Sequence, residues 1–268
     1  DSRLKRPKRP NTSRKSEILV KNENAERLAG FMADIGGIIT EEDLVKYEPQ
    51  EREPIRGTYR GYDIVSMPPP SSGGVILVEM LNILEGFDLA DMGHNSADYL
   101  HVLTETMRRA YADRAEHLGD PDFNESMPLQ RLMDKDYAET LRASIDMDAA
   151  SQSSPADFAQ IYESEETTHF SIVDKEGNMV SMTYTLEFGY GSGIVVEGGG
   201  YLLNNEMGDF NAVPGVTTAR GLIGTAPNLI EPEKRPLSSM TPTIVAKDGK
   251  PIFTAGSPGG KTIINTTM

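Results

Sequence analysis

TTHFSIVDKEGNMVSMTYTL, residues 167–186, consists of two alternating, β-branched runs, Thr167 to Val173 and Met179 to Leu186, joined by Asp174-Lys175-Glu176-Gly177-Asn178. A period of two on both sides of a Gly-bearing turn predicts a β-hairpin. Immediately upstream, residues 146–166 (DMDAASQSSPADFAQIYESEE) are acidic, Ser-rich and aperiodic, which predicts a flexible linker. A Thr-Thr pair opening a strand directly after such a linker has two readings. One is simply a β-former starting a strand. The other is that the Glu166–Thr167 bond is cut, so that Thr167 becomes an N-terminal residue carrying its nucleophile and its base together. An α-amino group titrates near ~7.7 to 8.0 and is a competent base around neutrality.

Downstream of the hairpin, further strands are expected at Ile194 to Val196, Tyr201 to Leu203, Thr243 to Ala246 and Ile252 to Thr254, the last two joined by a Lys247-Asp248-Gly249-Lys250 turn. Upstream, residues 22–145 are mainly helical in pattern. Thr40 and Asp43 approximate a capping box. Ile55 to Met67 suits two short strands ended by Pro68-Pro69-Pro70, and Val75, Val78 and Leu81 with Ile76, Met80, Ile83 and Leu84 suit a buried helix. A second helix, capped by Asn95, repeats Leu100, Leu103, Met107, Ala110 and Tyr111 at helical spacing. Its charges, Glu105, Arg108, Arg109, Asp113, Arg114 and Glu116, are read as a solvated, ion-paired face. The expected organisation is therefore α+β: a helical half, then an antiparallel sheet half, with a boundary near residue 166.

Composition removes several function classes. The chain has 268 residues, 38% hydrophobic and 25% charged, with no run apolar enough to span a membrane. Zero cysteines exclude a disulfide scaffold, a thiolate nucleophile and Cys-ligated metal. The four histidines show no ligand spacing, so no metal is expected. A net charge of -15 argues against a nucleic-acid partner. Residues 1–21 differ from the rest, with eight Lys and Arg against two acids, and are read as a disordered or atypical basic arm lacking the apolar h-region of a secretory signal. Both ends have the look of cut ends.

Two chemistries compete for Ala255-Gly256-Ser257-Pro258-Gly259-Gly260-Lys261-Thr262. One is a relaxed phosphate-binding loop, with Lys261 on phosphate and Thr262 on magnesium. Against it stand Pro258, which removes an N–H donor, a preceding strand that belongs to a hairpin, and the following TIINTTM, a poor helix former. The other is an oxyanion hole for Thr167 made from adjacent glycine N–H groups.

Five stretches of this half share order and spacing with one family: Thr167-Thr168-His169-Phe170-Ser171, Thr183 to Glu187 (TYTLE), Leu203 to Phe210 (LNNEMGDF), Lys234 to Thr243 (KRPLSSMTPT) and Gly256 to Gly260 (GSPGG). Upstream, Gly36-Gly37, Glu51 to Gly57 (EREPIRG), Met67 to Gly74 (MPPPSSGG) and Met107 to Arg114 (MRRAYADR) match as well. From about residue 25 to the end, the chain resembles the γ-glutamyltransferase (γ-glutamyltranspeptidase, glutathione hydrolase) family. The resemblance implies a four-layer αββα sandwich of the N-terminal nucleophile hydrolase type, made as one precursor that cleaves itself. The large subunit would include 22–145 and the 146–166 linker and end at Glu166, and the small catalytic subunit would begin with 167–268. By resemblance, Thr167 is the nucleophile, Thr185 hydrogen-bonds it, and Gly259 and Gly260 hold the oxyanion. Glu187, Glu206 and Asp209 would surround the substrate ammonium, and Ser238 and Ser239 would meet its carboxylate. The implied substrates are glutathione and other γ-glutamyl compounds. Water, an amino acid or a dipeptide would be the acceptor, no cofactor would be needed, and the location would be periplasmic or extracellular. The family's carboxylate-binding arginine belongs to an upstream segment and is matched by no residue here, so this chain alone is expected to fold poorly or to be inactive. The alternatives are an acylase of the same superfamily and a nucleotide binder acting through residues 255–262.

Overall fold

The computed structural model describes residues 23–152, 167–211, 213–216 and 224–268. The basic arm at 1–21 and most of the 146–166 linker, Glu166 included, lie outside the described residues. The chain divides into two units, one of residues 1–52 with 192–203, the other of 53–191 with 204–268.

In the first unit, helix α1 (Glu23–Asp34) buries Ala25 and Met32, and helix α2 (Glu41–Lys46) starts at the expected capping box. Thr40 N donates to Asp43 Oδ2 at 2.8 Å, and Asp43 N donates to Thr40 Oγ1 at 3.3 Å. The strands expected at 194–196 and 201–203 are not formed; a single antiparallel bridge, Val195 to Leu202, stands in their place. Gly198 and Gly200 adopt φ of 68° and 70°, which turns the chain too quickly for a ladder to extend.

The second unit is built on an antiparallel sheet in the order β1-β2-β5-β6, with β1 (Ile55–Tyr59), β2 (Tyr62–Ser66), β5 (Thr243–Lys247) and β6 (Lys250–Ala255). The sheet joins both sides of the boundary expected near residue 166, because β2 pairs with β5 from Asp63↔Ala246 to Ser66↔Thr243. Inside this seam the Ser66 and Thr243 hydroxyls bond at 2.9 Å. The predicted hairpin forms a second sheet of β3 (Thr168–Val173) and β4 (Met179–Tyr184), and Ser181 Oγ donates across to the Ala255 carbonyl at 3.1 Å. Helix α3 (Gly73–Leu84) packs against β1 and β2 and is buried along its whole length, which explains why its sequence is apolar all round.

Short helices follow at α4 (Leu89–Met92), α6 (Leu129–Leu132) and α7 (Lys135–Ala143), with the long α5 (Ala97–His117) between them. Ser96, not Asn95, caps α5, accepting from Tyr99 N at 3.1 Å. The buried face of α5 runs through Val102, Glu105, Thr106, Ala110, Asp113 and Arg114, rotated from the expected stripe, and Leu100 is 48% exposed. The reading of these charges as a solvated face is therefore corrected at three positions. Glu105 is enclosed by Arg109, at 2.6 Å, and Ser151; Asp113 accepts from Tyr137; Arg114 faces two serine hydroxyls. Apart from Arg109, the polar partners that offset this burial come from outside the helix, and a helix-only pattern does not contain them.

The segment expected to be a poor helix also differs: Gly260–Thr262 forms a 3-10 turn that runs into α8 (Ile263–Thr267). Ile263 and Ile264 are 2% and 0% exposed, and α8 packs against α3, so burial outweighs the weak propensity of β-branched residues.

Candidate active site

Strand pairing sets the first two groups. Because Thr168 is opposite Tyr184, the chain places Thr167 across from Thr185 at the hairpin's open end. Thr167 is 8% exposed and its Oγ1 donates to Thr185 Oγ1 at 3.3 Å. The Thr185 oxygen also accepts from Glu187 N at 2.9 Å, which fixes its orientation toward the Thr167 hydroxyl.

One pocket opens on this pair, and it is lined by Thr167, Thr185, Glu187, Glu206, Asp209 and Ser238, with Ser239, Met240, Gly260, Lys261 and Ile263 completing the wall. Eight of the nine residues expected in the site thus line it; Gly259 stands one residue outside the lining.

One wall is acidic. Glu187 sits in the left-handed region, φ 72°, and Asn205 Nδ2 holds its Oε2 at 2.6 Å. Glu206 and Asp209 bracket a 3-10 turn whose last carbonyl, Asp209 O, accepts from Asn228 Nδ2 at 2.7 Å. Burial, then the neighbouring Asp209, pushes Glu187 up to about 7; burial, Asp209 and Glu187 push Glu206 up to about 7. Burial also raises Asp209, opposed by the positive charges of Arg114 and Lys261. Three carboxylates crowded into a partly buried space hold protons more tightly, as like charges in low dielectric must. The Lys261 ammonium is depressed by burial and by Arg114, and Asp209 and Glu187 oppose this. Among the described residues no group of three or more His, Cys, Asp and Glu is arranged to hold a metal ion.

The opposite wall is neutral at its surface. Ser238 and Ser239 lie on a loop tied to the segment before α3: Ser72 N and Ser72 Oγ donate to Ser238 O at 2.9 and 2.8 Å, and Ser71 Oγ donates to Met240 O at 2.7 Å. Ser238 Oγ accepts from Met240 N at 3.1 Å. Behind Ser239, the buried Arg114 donates through Nη2 to Ser239 Oγ at 2.9 Å and through Nε to Ser72 Oγ at 2.8 Å.

The glycine loop closes the floor. Gly259 has φ 127° and Gly260 φ 53°, conformations that free both from the extended run of β6 and that a Cβ would strain. Thr262 Oγ1, the expected magnesium ligand of a phosphate loop, instead donates to Gly259 O at 2.6 Å, and Lys261 faces Asp209 and Glu187. A pocket with three carboxylates repels a polyphosphate, so the loop's surroundings oppose nucleotide binding although a helix does follow it.

The family profile described as Gamma-glutamyltranspeptidase matches residues 19–268. The chain belongs to the γ-glutamyltranspeptidase family. It is 52% identical over 247 residues to the glutathione hydrolase proenzyme of Escherichia coli (strain K12), covering 91% of this chain and 42% of that protein. It is 41% identical over 241 residues to the Acylase ACY 1 proenzyme of Pseudomonas sp. (strain SE83), covering 90% and 41%. Among solved structures, the cephalosporin acylase from Bacillus halodurans superposes with a TM-score of 0.73 at 28% identity, over 90% of this chain and 40% of that one. The fold is that of the N-terminal nucleophile hydrolases, here with helices against one sheet and the β3–β4 sheet beside it. The chain spans about two fifths of the length of the relatives it matches.

Lys261 lines this γ-glutamyltranspeptidase-family pocket and Arg114 stands behind its Ser239, and neither place follows from the motifs: the glycine-loop reading gives Lys261 only a phosphate, and the helix pattern puts Arg114 on a solvated face. Arg114 nevertheless stands four residues after Ala110, so a guanidinium on an apolar stripe was the available signal.

Proposed function

We propose that this chain is part of an enzyme that transfers or hydrolyses γ-glutamyl groups, from glutathione and related compounds, through an acyl-enzyme on Thr167. The observation that carries it is the pairing of a buried threonine hydroxyl with a pocket having an acidic wall and a hydroxyl wall. A γ-glutamyl group presents an ammonium and a carboxylate on one carbon, and such a zwitterion needs two opposite environments.

In this reading the Glu166–Thr167 bond is cut first, which leaves a large subunit that includes residues 22–145 and ends at Glu166, and a small one that begins at Thr167. Thr167 Oγ1 then attacks the γ-carbonyl carbon while its proton passes to the freed α-amine, directly or through one water. Thr185 orients the hydroxyl. Gly259 and Gly260 N–H groups receive the developing oxyanion. Collapse of the tetrahedral state breaks the C–N bond, and the α-ammonium returns its proton to the leaving amine. Water, an amino acid or a dipeptide attacks the resulting ester by the same path in reverse. Glu187, Glu206 and Asp209 take the substrate ammonium, and Ser238 and Ser239 its carboxylate. No step calls on a metal, cofactor or nucleic acid. No helix among the described residues is long and apolar enough to cross a membrane; we place the enzyme in the periplasm or outside the cell.

The acylase relatives favour a second reading, hydrolysis of another amide by the same nucleophile. Asp209→Ala in the full-length protein separates the two. If the substrate is γ-glutamyl, kcat/KM for a γ-glutamyl anilide falls by at least about a hundredfold, as expected for loss of a charge-assisted contact in a partly buried site. If it is an acylase, that anilide is a poor substrate from the start and Asp209→Ala leaves turnover of a cephalosporin-type amide largely intact.

A further inference from the structure

The hydroxyl wall of the pocket has a cation built behind it. Arg114 is 5% exposed, and among the described residues no carboxylate forms an ion pair with its guanidinium. Its hydrogen-bond partners are two neutral oxygens, Ser72 Oγ at 2.8 Å and Ser239 Oγ at 2.9 Å. A buried guanidinium hydrogen-bonded only to hydroxyls, with Asp209 acting on it from beyond ion-pair distance, keeps a charge that is only partly offset, so a further anion within reach is favoured. The pocket is where an anion has access, since Ser239 lines it.

The two serines divide the work. Ser72 spends its hydrogen on Ser238 O at 2.8 Å, so the Arg114–Ser72 contact braces the loop. Ser239 Oγ already accepts from Arg114, and a hydroxyl has one hydrogen to give, which leaves that hydrogen available to a partner in the pocket that Ser239 lines. A hydroxyl polarised by a cation on its acceptor side is a stronger donor on the other.

We propose that Arg114 is the positioning residue of the carboxylate wall: through Ser239 it aims a polarised hydroxyl, and with its charge it selects substrates bearing an anionic group on the α-carbon. This rests on the γ-glutamyl reading of the pocket. Arg114 also favours the ionised form of Asp209 on the ammonium wall, so a simple loss of activity on its removal would not separate the two effects. A substrate pair does.

The experiment uses the full-length protein with Arg114→Gln and Arg114→Lys, each first checked for scission before Thr167 as a sign of native folding. Kinetics are compared on a γ-glutamyl anilide and on its α-carboxamide analogue, which keeps the ammonium but not the carboxylate. Arg114→Gln is expected to raise KM for the carboxylate substrate about tenfold or more beyond whatever change the loss of its support for Asp209 causes on the carboxamide substrate, so that selectivity collapses. Arg114→Lys, which keeps the charge without the fork, recovers part of that selectivity and carries the test if the Gln variant does not fold. Equal losses on both substrates, or unchanged selectivity, overturn the inference. A parent enzyme that turns over no γ-glutamyl substrate overturns the proposed function as well, whereas an active parent with unchanged selectivity in the variants overturns this inference alone.

Discussion

Glu187 and Glu206 hold their protons to about 7, and this sets opposite pH trends for stability and for binding. A carboxyl raised on folding contributes stability that is complete below its unfolded value near ~4.5 and is lost as pH rises through the folded value. Binding an ammonium instead favours the ionised forms. KM for a γ-glutamyl anilide is therefore expected to fall as pH rises through about 7, with the two groups titrating as a coupled pair. Glu206→Gln should flatten that profile while raising the melting temperature at about pH 8 more than at about pH 5. A KM that is flat with pH in the parent protein would remove the ammonium role. At this scale the sequence was most legible where motif spacing fixed identity: Thr167, Thr185, Glu187, Glu206, Asp209, Ser238, Ser239 and Gly260 all line one pocket. It was least legible for Arg114 and Lys261, whose positions depend on elements distant in the chain.

Among elements, the three hairpins and helix α3 followed from local pattern, because period-two strands with Gly-bearing turns and an all-round apolar helix are dictated by short-range chemistry. Helix α8 and the buried face of α5 did not, since packing overrode propensity in one and polar burial disguised the other. The start of α3 gives the sharpest test of how elements position the site. A Cβ on Gly73 would lie 2.3 Å from the Met240 carbonyl and 2.5 Å from Thr241 Oγ1, and a backbone oxygen cannot rotate away. Gly73→Ala must push helix and serine loop apart, costing about 1–3 kcal/mol. The expected result is a melting temperature lower by several degrees together with a raised KM for α-carboxylate substrates. An unchanged melt would mean that the loop is not braced there.

At the scale of the whole molecule, the decisive feature is where the proposed cut falls. The four-stranded sheet takes two strands from each side of residue 166, so pieces separated there would still share the β2–β5 seam. The expected division into a helical half and a sheet half missed this, because the pairing partner of β2 lies about 180 residues downstream and no local period reports it. The proposed chemistry places both nucleophile and base on one residue, and that residue has a free α-amine only after the chain is cut. The most direct measurement is intact mass with N-terminal sequencing of the purified full-length protein after incubation at neutral pH. The account predicts a new fragment beginning Thr-Thr-His-Phe that appears together with turnover, and neither in Thr167→Ala. A full-length protein that stays uncut yet turns over γ-glutamyl anilide, or a Thr167→Ala variant that is cut and active, would contradict it.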